Sequence, residues 1–215
     1  MIKNRNVCMT NSNEHECRLL RRSALQGLVV PGKYANITNE GPGIKINEQH
    51  PLSITQVEIG SKCLPPFLKL AENFFNLPMP IKPNTSFSFD STRVIWTGPN
   101  RWLFVEPEVR DLSTILKSEL NEINPAIIDL SHARSCIQLS GNKIREVLMK
   151  GAAIDWHPES FLKNQCAQTK FFNLPALIDC KENDSFDVFV ARGFAQNLWG
   201  WIKESAEEFG YEVVL

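Results

Sequence analysis

Residues 166–190, CAQTKFFNLPALIDCKENDSFDVFV, decide the fold. Positions 166–172 and 176–180 are rich in aromatic and aliphatic residues and read as strands. The charged run 181–185 is a turn. Phe186, Val188 and Val190 then fall at alternate positions and make a return strand. Upstream, 135–139 is another strand, and Gly141-Asn142 leads into a helix that carries Ile144, Val147 and Leu148 on one face. A loop through Pro158 joins it to the quoted stretch. Downstream, Phe194, Leu198, Trp201 and Ile202 stripe a second helix. Gly210 is placed to end it, and 211–215 is a last strand.

The preceding residues run in a similar order. Ile54, Val57 and Ile59 mark a half-buried strand over 52–59. Pro65-Pro66 opens a helix, where a missing N–H costs little, with Leu64, Phe67, Leu68, Ala71, Phe74 and Phe75 along one face. Residues 94–96 and 102–105 flank Gly98-Pro99-Asn100 as a hairpin. Asp111 is a candidate N-cap for a helix striped by Leu112, Ile115, Leu116, Leu120 and Ile123. Residues 126–130 form a short, continuously apolar strand. The expected architecture is therefore α+β: two ferredoxin-like halves of βαββαβ type, 51–132 and 133–215, related by internal duplication. Ahead of them, residues 1–22 are polar and Asn-rich, with Arg18, Arg21 and Arg22 near the end, and read as a flexible arm. Residues 23–50 hold one apolar patch, 25–30, and the turn signals Pro31-Gly32 and Gly41-Pro42-Gly43. They read as an extended lead-in without a regular element, disordered or tied down by a partner.

The chain has 215 residues, of which 43% are hydrophobic and 22% charged, and its net charge is -1. That length buries enough surface to fold without disulfide or metal staples. Near-neutral charge argues against phosphate-backbone binding, so no nucleic-acid partner is expected and an RNA-binding sheet is disfavoured. No apolar run approaches the ~20 residues of a membrane span, and residues 1–13 lack the apolar core of a secretion signal. A cytoplasmic location is the expectation. The six cysteines, Cys8, Cys17, Cys63, Cys136, Cys166 and Cys180, form no close-spaced pair and read as free thiols in a reducing compartment.

Candidate chemistry is thin. Asp129, Ser131 and His132 resemble a nucleophile set only in composition. Triad members converge from separate segments, so turn and strand-end roles fit better. His15, His50 and His157 stand in loops without metal-ligand spacing. No Gly-x-Gly-x-x-Gly or Walker loop is present. Trp96, Trp102 and Trp201 fall at core positions, whereas Trp199 lies off its helix's stripe and could mark a contact surface with Phe194 and Trp201.

Several ordered motifs nevertheless resemble one family. They are Asp129-Leu130-Ser131-His132-Ala133-Arg134, Leu139-Ser140-Gly141 before Ile144-Arg145-Glu146-Val147-Leu148, Lys150-Gly151, Asp155, His157-Pro158 and Phe161. Cys166-Ala167-Gln168-Thr169 and Phe194-Ala195-Gln196-Asn197-Leu198-Trp199 follow, and Ser23-Ala24-Leu25 and Pro51-Leu52-Ser53 fit upstream. Together they are similar to the gamma subunit of heterotetrameric sarcosine oxidase. That family is grouped with the aminomethyltransferase (T-protein) of glycine cleavage, which implies one T-protein-like domain built from both halves.

The resemblance implies membership of a complex that oxidatively demethylates sarcosine to glycine. The one-carbon unit passes to tetrahydrofolate or leaves as formaldehyde, and hydrogen peroxide is formed. It implies alpha, beta and delta subunits as partners, with FAD, FMN, NAD and zinc on those subunits. This chain would hold no cofactor, metal or catalytic residue and would serve assembly. An apolar patch within 23–32 would then be covered in the complex. The alternative is a stand-alone folate-binding, aminomethyltransferase-like protein. T-proteins use an aspartate just ahead of the hairpin strand, where this chain has Asn173-Leu174-Pro175-Ala176. Asp129, Asp155 or Asp179 would have to supply the carboxylate, and Asp179 is expected to fall in the hairpin. The roles of His132 and Arg134 stay open between packing and interface.

Overall fold

Two sheets, each covered by helices on its outer side, stack face to face. The computed structural model describes residues 21–36, 41–75 and 79–215, the side chains of Phe74 and Phe75 excepted. His15, Cys8, Cys17 and the arm up to residue 20 lie outside the described residues. The first sheet contains β3 (Leu52–Glu58), β4 (Ser86–Phe89), β5 (Thr92–Gly98), β6 (Arg101–Pro107) and β7 (Ala126–Asp129). Its strand order is β4-β5-β6-β3-β7. Helices α1 (Leu64–Phe75) and α2 (Leu112–Glu119) cover it. The second sheet contains β1 (Gly32–Tyr34), β2 (Ile44–Gln49), β8 (Arg134–Ser140), β9 (Cys166–Phe171), β10 (Leu174–Glu182), β11 (Ser185–Ala191) and β12 (Tyr211–Val214), in the order β1-β12-β2-β8-β11-β10-β9. Helices α3 (Ile144–Gly151) and α4 (Ala195–Ala206) cover it.

Four strands of the five-stranded sheet have counterparts in the seven-stranded one. The meander β4-β5-β6 beside β3 matches β9-β10-β11 beside β8. This symmetry depends on β4, which the sequence reading missed. Ser86-Phe87-Ser88-Phe89 alternates over only four residues before the turn at Asp90. With β4 present, each half has three strands between its two helices rather than the two assigned to the first half. The hairpin at the start of β10 turns through Phe172 and Asn173, both at positive φ, as a tight two-residue turn requires.

The lead-in departs from expectation. It contributes two strands, and β2 lies inside the sheet, antiparallel to β8 and parallel to β12. Ile44 and Ile46 are fully buried on its helix-facing side. Only two apolar residues flanked by Gly-Pro-Gly and Pro51 announce it, too few for the alternation to stand out. Leu25 is also fully buried, whereas Leu28 and Val30 are exposed. Arg192 donates to the Arg22 carbonyl at 2.7 Å, and Gln196 donates to that of Ala24 at 3.3 Å, which seats this segment at the start of α4. Gly141, at φ +127°, passes so close to β2 that a Cβ there would lie 2.2 Å from the Gly43 carbonyl oxygen.

Three cores fill the layers. Val57, Phe67, Val94, Trp102 and Phe104 pack between the first sheet and its helices, where the Phe67 and Trp102 rings lie 5.1 Å apart. Ile137, Val147, Trp156, Phe186 and Ile202 are among those doing the same in the second half. Ile54, Ile95, Leu103, Val105, Cys136, Cys166, Leu177 and Phe189 fill the space between the sheets. Asp111 caps α2 as expected, accepting from the Thr114 N–H at 3.0 Å. Residues 126–130 were expected as a continuous apolar strand; β7 is an edge strand with Ile128 half exposed. On α4 the apolar stripe is Ala195, Leu198, Trp199, Ile202 and Ala206. Phe194 precedes the helix, so a stripe phased from it is about one residue out. Trp199 is therefore buried, and Trp201, read as core, is 44% exposed and stacks on Phe172 at 5.2 Å.

Candidate functional site

Alternation along each strand sends every second residue toward the opposite sheet. On β5 those residues are Arg93, Ile95 and Thr97; on β10 they are Pro175, Leu177 and Asp179. The middle of this layer is apolar and one end is charged. There the Arg93 guanidinium forks onto Asp179, with Nε–Oδ2 at 2.8 Å and Nη2–Oδ1 at 3.0 Å. Ser86 Oγ donates to Asp179 Oδ1 at 2.5 Å. Arg93 also donates to Ser88 Oγ, the Asn164 side-chain oxygen and the Cys180 carbonyl. Asp179 is fully buried. It was expected in the hairpin, but β10 runs on to Glu182, so it sits mid-strand opposite Asp187 of β11. The Asp179 carboxylate, the buried acid nearest to a folate-type requirement, is thus occupied by an arginine fork and a hydroxyl. A carboxylate so engaged is not open to a ligand.

Asp187 lies beside this pair. Burial pushes its carboxyl up to about 6, and Lys181, 3.2 Å away, opposes the shift. One of its oxygens, Oδ1, is buried without a hydrogen-bond partner. A cleft of about 480 Å³ opens alongside, lined by Arg93, Gln138, Lys163, Asn164, Lys181 and Glu182 among others. Neither Arg93 nor Asp187 was singled out from the sequence. Arg93 in an otherwise apolar strand, Thr-Arg-Val-Ile-Trp, was the available signal, because a charge inside a buried strand calls for a partner.

The remaining sequence candidates are not brought together. Asp129 is exposed and accepts the Ser131 N–H at 2.8 Å. Ser131 is buried, and its Oγ accepts the Ile54 N–H at 2.8 Å. His132 is exposed. The three residues make a turn that ties β7 to β3, the strand-end role preferred over a nucleophile set. Asp155 is exposed and held below the usual carboxylate range, first by a hydrogen bond from the Ser160 side chain and next by the His157 N–H. It shapes the loop that seats Trp156. His50 stands between β2 and β3, and burial lowers its pKa. Cys63, Cys136, Cys166 and Cys180 are free thiols. Burial raises Cys136 well above the ordinary range, Cys166 to about 12 and Cys180 to about 11, so these three are thiols rather than nucleophilic thiolates. Among the described residues no group of three or more His, Cys, Asp or Glu is placed to hold a metal ion. Among them no helix is long and apolar enough to cross a membrane.

Comparisons with known proteins agree on one relationship. The chain is 31% identical over 127 residues to the sarcosine oxidase subunit gamma of Corynebacterium sp. (strain P-1), covering 59% of this chain and 63% of that protein. It is 31% identical over 125 residues to the subunit gamma of Arthrobacter sp., covering 58% and 62%. These matches span a little under two thirds of the relatives' own length. Among solved structures, the heterotetrameric sarcosine oxidase from Corynebacterium sp. U-96 contains a chain of the same fold. It matches at TM-score 0.77 and 24% identity, covering 88% of this chain and 96% of that one. The glycine cleavage aminomethyltransferase T from Bartonella henselae shares the fold at TM-score 0.62 and 13% identity, covering 88% of this chain and 57% of that one. The model of the sarcosine oxidase, gamma subunit family matches residues 61–208, and the chain, with its T-protein-like α+β fold, belongs to that family.

Proposed function

We propose that this chain is the non-catalytic gamma subunit of a heterotetrameric sarcosine oxidase and serves its assembly and stability. The family match over residues 61–208 carries the reading. In that role it joins alpha, beta and delta subunits, and FAD, FMN, NAD and zinc reside on those partners. The complex converts sarcosine to glycine, with the one-carbon unit passed to tetrahydrofolate or released as formaldehyde. Its location is cytoplasmic.

The state of Asp179 supports the non-catalytic part. Folate chemistry of the T-protein kind needs a carboxylate open to the ligand. Asp179 is consumed by Arg93 and Ser86, while Asp129 and Asp155 are exposed acids that accept backbone N–H groups of their own turns. Co-expression with the three other subunits tests the proposal. The chain co-purifies in stoichiometric amount, and the isolated chain shows no sarcosine turnover. Tetrahydrofolate titrated into the isolated chain separates the alternative. Saturable micromolar binding, abolished by Asp129→Asn, Asp155→Asn or Asp179→Asn, would establish the folate-binding protein instead.

A further inference from the structure

Arg134 begins β8 on the face that turns toward the other sheet, two residues before the inter-sheet Cys136. Its backbone N–H bonds the Leu130 carbonyl at 3.1 Å, but among the described residues its guanidinium donates no hydrogen bond and has no carboxylate within ion-pair distance. It is nonetheless partly buried, and loss of water alone lowers its pKa. This contrasts with Arg93 and Arg145, whose guanidinium groups are partnered within the chain. A half-desolvated guanidinium without a counter-charge is an unfavourable arrangement that a second anion relieves.

The surroundings have the shape of a site. Ala191 stands opposite Arg134, and Lys170 stands opposite Pro175 on the next pair of strands. A row across the sheet therefore begins at Arg134, runs over the short side chains of Ala191 and Pro175, and ends at Lys170. Three strand spacings separate the two cations, roughly 14 Å. An open groove of about 370 Å³ lies along this row, lined by Arg134, Gln168, Thr169, Lys170, Pro175 and Leu177 among others, with no acidic residue in its wall. Gln168 is pinned by its bond to the Thr97 carbonyl at 2.7 Å, so the wall is held by both sheets.

We propose that this trough receives an extended acidic segment of a partner subunit, with Arg134 and Lys170 each taking a carboxylate. The spacing favours a segment over a single small anion, because two carboxylates about four residues apart on an extended chain span the same distance. The charge is complementary, and the groove is open along its length rather than enclosed. The inference rests on the assembly role proposed above.

The test is the double reversal Arg134→Glu/Lys170→Glu in the co-expressed complex. Lys62→Glu/Lys69→Glu on the opposite outer surface serves as a control of equal charge change. The expected result is association weakened at least about tenfold at low salt, with a shallower salt dependence, while the control matches wild type. The thermal midpoint of the isolated variant stays at the wild-type value, since neither side chain has a partner to lose among the described residues. A double variant that assembles with wild-type affinity overturns the trough and leaves the assembly role standing. A wild-type chain that does not assemble overturns both. Citrate or inorganic phosphate binding to the isolated chain below millimolar concentration, lost in the variant, would replace the partner segment by a small anion and overturn the proposal.

Discussion

Replacing Arg93 by methionine removes the fork on Asp179 while roughly keeping the stem's volume. The guanidinium makes six hydrogen bonds, two to Asp179 and one each to Ser86, Ser88, Asn164 and the Cys180 carbonyl. Side-chain exposure is 9% for Arg93 and 0% for Asp179, so water cannot take over the abandoned carboxylate. Ser86 alone remains to bond it. Breaking a buried pair on one side costs about 3–5 kcal/mol. At about 2–4 °C per kcal/mol for a chain of this size, the melting midpoint falls by roughly 6–20 °C. The double variant Arg93→Met/Asp179→Leu recovers most of the loss, because the buried charge is gone. Urea denaturation of the four proteins of this cycle measures the coupling. A loss under about 1 kcal/mol for Arg93→Met, or a double variant no more stable than Arg93→Met, would refute the reasoning.

Asp187 titrates in the folded state near pH 6, so its contribution is fully present below about pH 4 and is lost between pH 4 and 6. Asp187→Asn is expected to flatten that part of the stability profile and to stabilise the chain at pH 7.5 by on the order of 1–3 kcal/mol, read by urea denaturation. Gly141→Ala forces a Cβ against the Gly43 carbonyl at a φ unsuited to L-residues, and is expected to lower stability by about 3 kcal/mol or more in thermal melts. Asp111→Ala removes the α2 cap for about 1 kcal/mol by the same measurement. A chain beginning at Leu52 lacks β2 and leaves β8 and β12 unjoined; circular dichroism and tryptophan fluorescence are expected to show an unfolded second half.

Elements with strong local signals were legible. The hairpin around Asn100, the turn between 180 and 186, the cap at Asp111 and the stripes of α1 and α2 follow from turn chemistry and apolar spacing. What was not legible depends on long-range partners. The sequence Ile-Lys-Ile-Asn-Glu-Gln becomes β2 because β8 and β12 hold it from both sides, and nothing in its six residues says so. Ser-Phe-Ser-Phe becomes β4 by pairing with β5 in the same way. The α4 stripe was misphased because bulky Phe194 and Trp201 outweighed small Ala195 and Ala206, although the small residues lie against the sheet. Asp179 lies mid-strand because β10 runs on through Lys181 and Glu182, two charged residues that read locally as turn. The motif from Asp129 to Arg134 drew attention through its Ser and His. The structure makes Ser131 a turn tie and leaves the Arg134 guanidinium without a partner among the described residues.

The position of β2 also sets an order of events. Tyr211 through Val214 dock on Ile44 through Asn47, so β2 waits for a strand that lies far downstream of it in the chain. Until then β2, paired with β8 alone, presents a bare edge on its other side. The first sheet, closed within residues 52–129, faces no such delay. A nascent chain should thus pass through a half-built stage with one finished sheet and one open one, the stage at which capture by a companion chain or by another copy competes with self-completion.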